Sequence, residues 1–215
     1  MRFTDKVVVV TGAAGNLGRA VCAAFEKEGA SVMRFDLETN LLHQPTISAA
    51  VQNVIRENRR IDVLCNIAGG FRMGKPVHET ADEDWNFLFD VNVRTVLHTA
   101  RAVVPHMLDA GGGKIVNIGA YAAQKGAAQM GAYIASKAAL IRLTESMAAE
   151  LREKNINVNC VLPTILDTPQ NRADMPRADP RRWVALDDLV QAILFLASED
   201  ARAIHGAALP VTGLS

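Results

Sequence analysis

The sequence predicts an α/β fold, a doubly wound parallel sheet with helices on both faces, built as one domain over residues 1–215. Three observations carry that expectation. Short β-branched apolar runs alternate with longer amphipathic stretches along the whole chain. The first run, Val7–Val10, is uninterrupted valine, the pattern of a strand buried on both faces. No repeat, low-complexity tract or linker breaks the alternation.

Each element has its own signal. After the valine strand, Leu17 to Lys27 carries apolar residues at helical spacing and stops at Gly29. Ser31–Phe35 reads as a second strand ending in Asp36, and Ile61–Ile67 as another leading into Ala-Gly-Gly. A long helical pattern covers Asp82 to Arg101, with Pro105 marking a kink or an end. Lys114–Ile118 is a strand, Met130 to Glu153 an alanine-rich helix, and Ile156–Leu162 a strand stopped by Pro163. Asp187 to Ala197 is a helix and Ala207–Val211 a short final strand. The proline- and charge-rich stretch Pro169 to Arg182 reads as a mobile loop over a site.

Composition narrows the function classes. Lys+Arg and Asp+Glu are both 23, so the chain has no formal net charge. Nothing electrostatic draws it to nucleic acid or to an anionic membrane. No apolar run approaches the ~18 residues of a membrane span, and the N-terminal valines are too few for a signal peptide. The expectation is a soluble, cytoplasmic protein. Cys22, Cys65 and Cys160 sit apart in apolar stretches and read as reduced core residues; with five scattered histidines, no metal site is expected.

Between the first strand and first helix runs Thr11-Gly12-Ala13-Ala14-Gly15-Asn16-Leu17-Gly18. Gly12, Gly15 and Gly18 permit a tight turn, close backbone approach to a pyrophosphate, and close helix–strand packing. The helix start at Asn16 and Leu17 then points free N–H groups at the phosphates, as in a Rossmann dinucleotide fold. Asp36, with Leu37 beside it, lies 18 residues beyond Gly18, near the spacing of a carboxylate that accepts from adenosine ribose hydroxyls. Its charge would repel a 2′-phosphate, so NAD(H) is expected over NADP(H). Arg34 falls on the same face, as a competing cation or as a solvated edge residue.

Tyr133 and Lys137 stand at i and i+4, on one face of a helix. An ammonium about 4 Å from a phenol is worth up to ~4 kcal/mol at an effective dielectric of 20, or about three pKa units. That would bring the tyrosine toward working pH for proton transfer.

With these pieces in order, the chain resembles the short-chain dehydrogenase/reductase family over nearly its whole length. The resemblance rests on Gly12–Gly18, Asn66-Ile67-Ala68-Gly69, Asn92, Ile115-Val116-Asn117-Ile118, Tyr133-xxx-Lys137 and Pro163. It implies an NAD(P)-dependent oxidoreductase acting on a small molecule. Tyr133 would be the acid–base, and Lys137 would lower its pKa and bind the nicotinamide ribose. Asn92 would help hold a proton-relay water. Asn66, Ala68 and Gly69 would line the adenosine side, and Pro163, Ile165 and Thr168 would face the nicotinamide. Asn92 could instead be a helix-surface amide, and Pro163 a strand terminator.

Three departures stand out. The family's serine, 13 residues before the tyrosine, is Ala120. Losing such a donor costs about 2.7–4 kcal/mol of transition-state stabilisation where a carbonyl must be polarised. Water, Tyr121 or Gln124 would replace it, or the substrate would not need it. The dihydropteridine reductase branch shares this gap, and Ala68-Gly69-Gly70-Phe71 and Leu162 to Arg172 with Met175-Pro176 and Trp183 resemble it further. That branch reduces an already activated quinonoid dihydropterin with NADH. Second, Asn16 stands where glycine is usual, and asparagine tolerates left-handed backbone. Third, only 29 residues separate Asp36 from Asn66, so Leu37–Ser48 must form a shortened strand or a loop.

Two other readings stay open: a cofactor-sensing or scaffold protein with little catalysis, favoured by Ala120, and an alcohol dehydrogenase working oxidatively. The helix around Ala135, Ala138, Ala139 and Met147, and the helix of Asn92, are expected to expose faces that pair in a homodimer or homotetramer.

Overall fold

The computed structural model describes residues 1–215. Six parallel strands form one sheet: β1 (Val7–Thr11), β2 (Ser31–Phe35), β3 (Val63–Asn66), β4 (Gly113–Ile118), β5 (Ile156–Pro163) and β6 (Ala208–Val211). Their order across the sheet is β2-β1-β3-β4-β5-β6. The chain leaves β1 toward one edge and returns to β1's other side with β3, so the winding direction switches there. In such sheets ligands bind at the carboxyl ends of the strands beside that switch.

The valine run shows why both faces must be covered. Val8 and Val10 enter one core with Val21, Cys22 and Phe25 of α1 (Asn16–Lys27) and Leu189, Val190 and Ile193 of α7 (Leu186–Ala197). Val7 and Val9 enter the other, with side chains of α2 (Gln44–Asn58), α4 (Thr95–Asp109) and α5 (Gly131–Leu151). Successive strand residues point to opposite faces, so an all-apolar strand needs two layers of helices. Cys22, Cys65 and Cys160 are buried free thiols, as their setting implied.

Of the shortened strand or loop expected after β2, the loop is what forms, and it gives way early to a helix. No strand forms in Leu37–Ser48; a loop leads into α2 at Gln44. The periodicity explains it. Ile47, Val51 and Val54 recur at helical spacing and are all buried, each adding about 1.5–3 kcal/mol of burial. Pro45 sits in the first turn, where its missing N–H costs nothing. The sheet therefore ends at β2.

Other boundaries shift for physical reasons. The long helix is not continuous: α3 (Asp82–Phe89) passes through a π-helical turn at Asp90–Arg94 before α4. Pro105 lies inside α4 without ending it, because Val103 and Met107 on either side are fully buried. Pro163 is the last residue of β5 rather than a residue beyond it. Pro169–Arg182 is not an irregular loop. It contains α6 (Pro169–Asp174) and a 3-10 turn at Pro180–Arg182, and is tied by Arg172 to Asp167 at 2.6 and 2.7 Å. Met147 is buried in its own chain's core, so it offers no exposed face; Ala135, Ala138 and Ala139 are half-buried.

A buried polar chain fixes α5 to the strands. Thr99 donates to Asn66 Oδ1 at 2.8 Å, Asn66 Nδ2 to Asn117 Oδ1 at 2.8 Å, and Asn117 Nδ2 to Thr144 Oγ1 at 2.9 Å. Deleting the middle member strands polar groups on both sides in a dry interior. Asn117→Ala is expected to lower unfolding free energy by about 1–3 kcal/mol, read from denaturant titration; no change would show the chain to be energetically idle.

Candidate active site

The glycine turn is packed as tightly as its sequence implies. Gly12 has φ +64°, and a Cβ there would stand 2.9 Å from the Ala68 backbone. A Cβ on Gly18 would lie 2.1 Å from the Gly12 carbonyl oxygen, so only glycine lets α1 start so close to β1. The left-handed residue is Gly12, not Asn16, which begins α1 with ordinary helical geometry. The N–H groups of Asn16, Leu17 and Gly18 have no acceptor within the protein. A helix start with unpaired donors and a cradle floored by backbone suits a diphosphate.

Asp36 closes one side of this cradle. Its Oδ2 accepts from the Ala14 N–H and its Oδ1 from the Leu37 N–H at 2.8 Å. The carboxylate thus leans from β2 onto the turn. Leu37 itself is almost fully exposed. Arg34 does not compete, being drawn away to Glu26 at 2.6 Å on α1. The sequence reading passed over another cation. Arg19 folds back on the turn, donating to the Ala14 carbonyl and to Asn16 Oδ1 at 2.9 Å.

Across the switch point, Thr11 Oγ1 accepts from the N–H groups of both Ile67 and Ala68 at 3.1 Å, joining the ends of β1 and β3. Asn66 lies below them in the buried polar chain and not on the surface of the crevice. Gly69 then runs between two key side chains: a Cβ there would stand 3.1 Å from Asn92 Oδ1 and 3.2 Å from Lys137 Nζ. Three residues distant in sequence meet within a few ångströms.

Asn92 is fully buried in the π-helical turn, so it is no surface amide. Its Oδ1 accepts from Gly70 N at 3.0 Å, and its Nδ2 donates to Gly70 O at 3.0 Å and Ser136 Oγ at 3.1 Å. Ser136 in turn donates to the Tyr133 carbonyl at 2.8 Å. Ser136 was missed in the sequence, although it stands three residues after Tyr133, on the same side of α5.

Lys137 is buried, and its ammonium donates to the Ile118 carbonyl at 2.7 Å. Burial pushes its pKa down to about 8. Burial also pushes the Tyr133 phenol up to about 12, the opposite of the lowering expected from the neighbouring ammonium. The reason is desolvation by burial; among the groups around the ring, Phe71 packs edge-on with centroids 4.9 Å apart. Phe71 itself is more than half exposed, at the mouth of the site.

The far wall is built at the end of β5. Pro163 is buried, Ile165 is partly exposed, and Thr168 is buried as the N-cap of α6, accepting from Asn171 N at 3.1 Å. Ala120 is buried directly after β4, and Tyr121 and Gln124 follow on an exposed 3-10 turn.

Comparison with known proteins agrees with this geometry. Residues 8–213 match the family described as enoyl-(acyl carrier protein) reductase. Cyclopentanol dehydrogenase of Comamonas testosteroni is 33% identical over 244 aligned positions, covering 99% of this chain and 97% of the relative. A short-chain dehydrogenase/reductase from Burkholderia xenovorans superposes with a TM-score of 0.90 at 30% identity, over 99% of this chain and 96% of its own. Carveol dehydrogenase from Mycobacterium avium in complex with NAD gives 0.89 at 27% identity, over 99% and 98%. No helix of this chain is long and apolar enough to cross a membrane. The chain belongs to the short-chain dehydrogenase/reductase family and is an NAD(P)-dependent oxidoreductase.

Proposed function

We propose that the chain transfers a hydride between NAD(H) and a small carbonyl or conjugated C=N or quinonoid substrate, with Tyr133 and Lys137 as the acid–base pair. The observation that carries this reading is the meeting of Gly69, Asn92 and Lys137 at the carboxyl end of the sheet, beside helix-start amides with no acceptor in the chain.

When bound, the dinucleotide supplies or accepts the hydride. The chain does the rest. The amides of Asn16, Leu17 and Gly18 hold the diphosphate, and Asp36 accepts from the adenosine ribose while repelling a 2′-phosphate. Lys137 has three donors and gives one to Ile118, leaving two for a ribose hydroxyl and the phenol. Tyr133 Oη gives its proton to the substrate atom in reduction and takes it back in oxidation. A phenol held protonated suits the reductive direction. Asn92, engaged by Gly70 and Ser136, acts as a positioning residue between the crevice and α5.

Ala120 offers no hydroxyl to a substrate oxygen, so a substrate already activated by conjugation fits best; a quinonoid dihydropterin is that substrate in its most activated form. A second reading, a secondary alcohol oxidised to a ketone, is favoured by the likeness to cyclopentanol dehydrogenase.

The test is NADH oxidation with quinonoid dihydropterin, quinones and cyclic ketones, beside Tyr133→Phe. The variant is expected to bind NADH normally and to lose about 10²–10⁴-fold in kcat. NADH binding with no Tyr133-dependent turnover would replace the enzyme with a cofactor sensor. Tyr133 stays protonated well above neutrality, whereas Lys137 is charged only below about 8. Reductive kcat/KM is therefore expected to be flat at neutral pH and to fall as pH rises through about 8; a profile still rising there would overturn the role of the ammonium. Asp36→Ser is expected to shift the NADH-to-NADPH ratio of kcat/KM toward NADPH by about tenfold, the equivalent of about 1.4 kcal/mol of repulsion removed. An unchanged ratio would exclude Asp36 from cofactor choice.

A further inference from the structure

At the amino-terminal ends of the strands, opposite Tyr133, a cavity of about 150 Å³ opens. Lys6 and Asp62 line it from the entries to β1 and β3, Gly112 and Lys114 from the entry to β4, and Glu199 from the turn after α7. That volume is room for a phosphate with a few waters.

The walls carry unbalanced charge. Four cations, Arg2, Lys6, Arg60 and Lys114, face two carboxylates, Asp62 and Glu199, in a chain with no net charge. Lys114 is only 6% exposed. Its ammonium donates to the neutral amide of Asn157 at 2.8 Å, and its one counter-charge, Glu199 at 3.5 Å, is on a side chain 75% exposed to water. That leaves a buried cation with spare donors whose counter-charge stands largely in water. Lys6 is no better served. It lies 3.4 Å from Asp62, whose carboxylate is already taken by two nitrogens of Arg60 and by Val7 N at 2.9 Å. Arg2 is turned aside to Glu28.

We propose that this cavity is a second ligand site that binds a compact dianion, inorganic phosphate or the phosphate end of a small phosphomonoester, through Lys114 and Lys6. The charge lies in a concave, protein-walled space, where its field is concentrated rather than screened. The six residues of β4 separate it from the Ile118 carbonyl by roughly 15–20 Å, so its occupant does not touch the reacting groups. The inference stands apart from the proposed reaction and does not depend on it.

Calorimetric titration at fixed ionic strength, with NADH saturating the glycine turn, tests it. Inorganic phosphate and glycerol 3-phosphate are the two probes, and the tighter one identifies the source of the dianion. Saturable binding is expected, weakened about tenfold by Lys114→Gln and a few-fold by Lys6→Gln, and strengthened a few-fold by Glu199→Gln. Should Lys114→Gln fail to fold, the opposite responses of the two exposed positions carry the test alone. Absence of saturable binding for both probes, or affinities indifferent to Lys6→Gln and Glu199→Gln, would overturn the proposal.

Discussion

A single buried charge organises the reacting end of this molecule. Lys137 brings an ammonium into a dry interior, where an isolated cation is costly unless acceptors surround it. The Ile118 carbonyl, the last of β4, supplies one at 2.7 Å. That bond ties the α5 helix to the strand end. It also explains the glycine at position 69, since any side chain there would press on the lysine and on Asn92. The π-helical turn serves the same constraint by turning Asn92 inward, where an unbroken helix would carry the chain past it.

Much of this was legible in the residue order. The valine run demanded a two-sided sheet, the glycine spacing located the tight turn between β1 and α1, and the i,i+4 spacing of Tyr133 and Lys137 placed both on one helix. What the order hid was three-dimensional. The helical period of Ile47, Val51 and Val54 was present but began inside a stretch read as a short strand or a loop, so α2 went unseen. The direction of the tyrosine's shift was misjudged because spacing reports proximity and not solvent. Burial strips water from the phenol, and Phe71, sixty-two residues away in sequence, is among the neighbours that pack on its ring. Asn92 looked interchangeable with a surface amide until the π turn put it beside Gly70.

The cofactor end balances charges differently. Asp36 is not a free carboxylate waiting for a ribose; both its oxygens already accept backbone N–H groups from the turn and from its own successor. Ionised oxygens can accept further bonds, so the residue both shapes the cradle and presents negative charge over it. Arg19 sits across the same turn with the opposite sign. Arg34 takes no part there, being committed to Glu26.

Ending the sheet at β2 has a consequence of its own. A border strand presents unpaired backbone donors and acceptors that another chain could zip onto. Here the strand is only five residues long, and an Arg34–Glu26 ion pair stands exposed along it. Shortness and charge are the usual guards against such runaway association. The border strand thus offers little length, and a charge pair already closed on itself, to any chain that would extend the sheet.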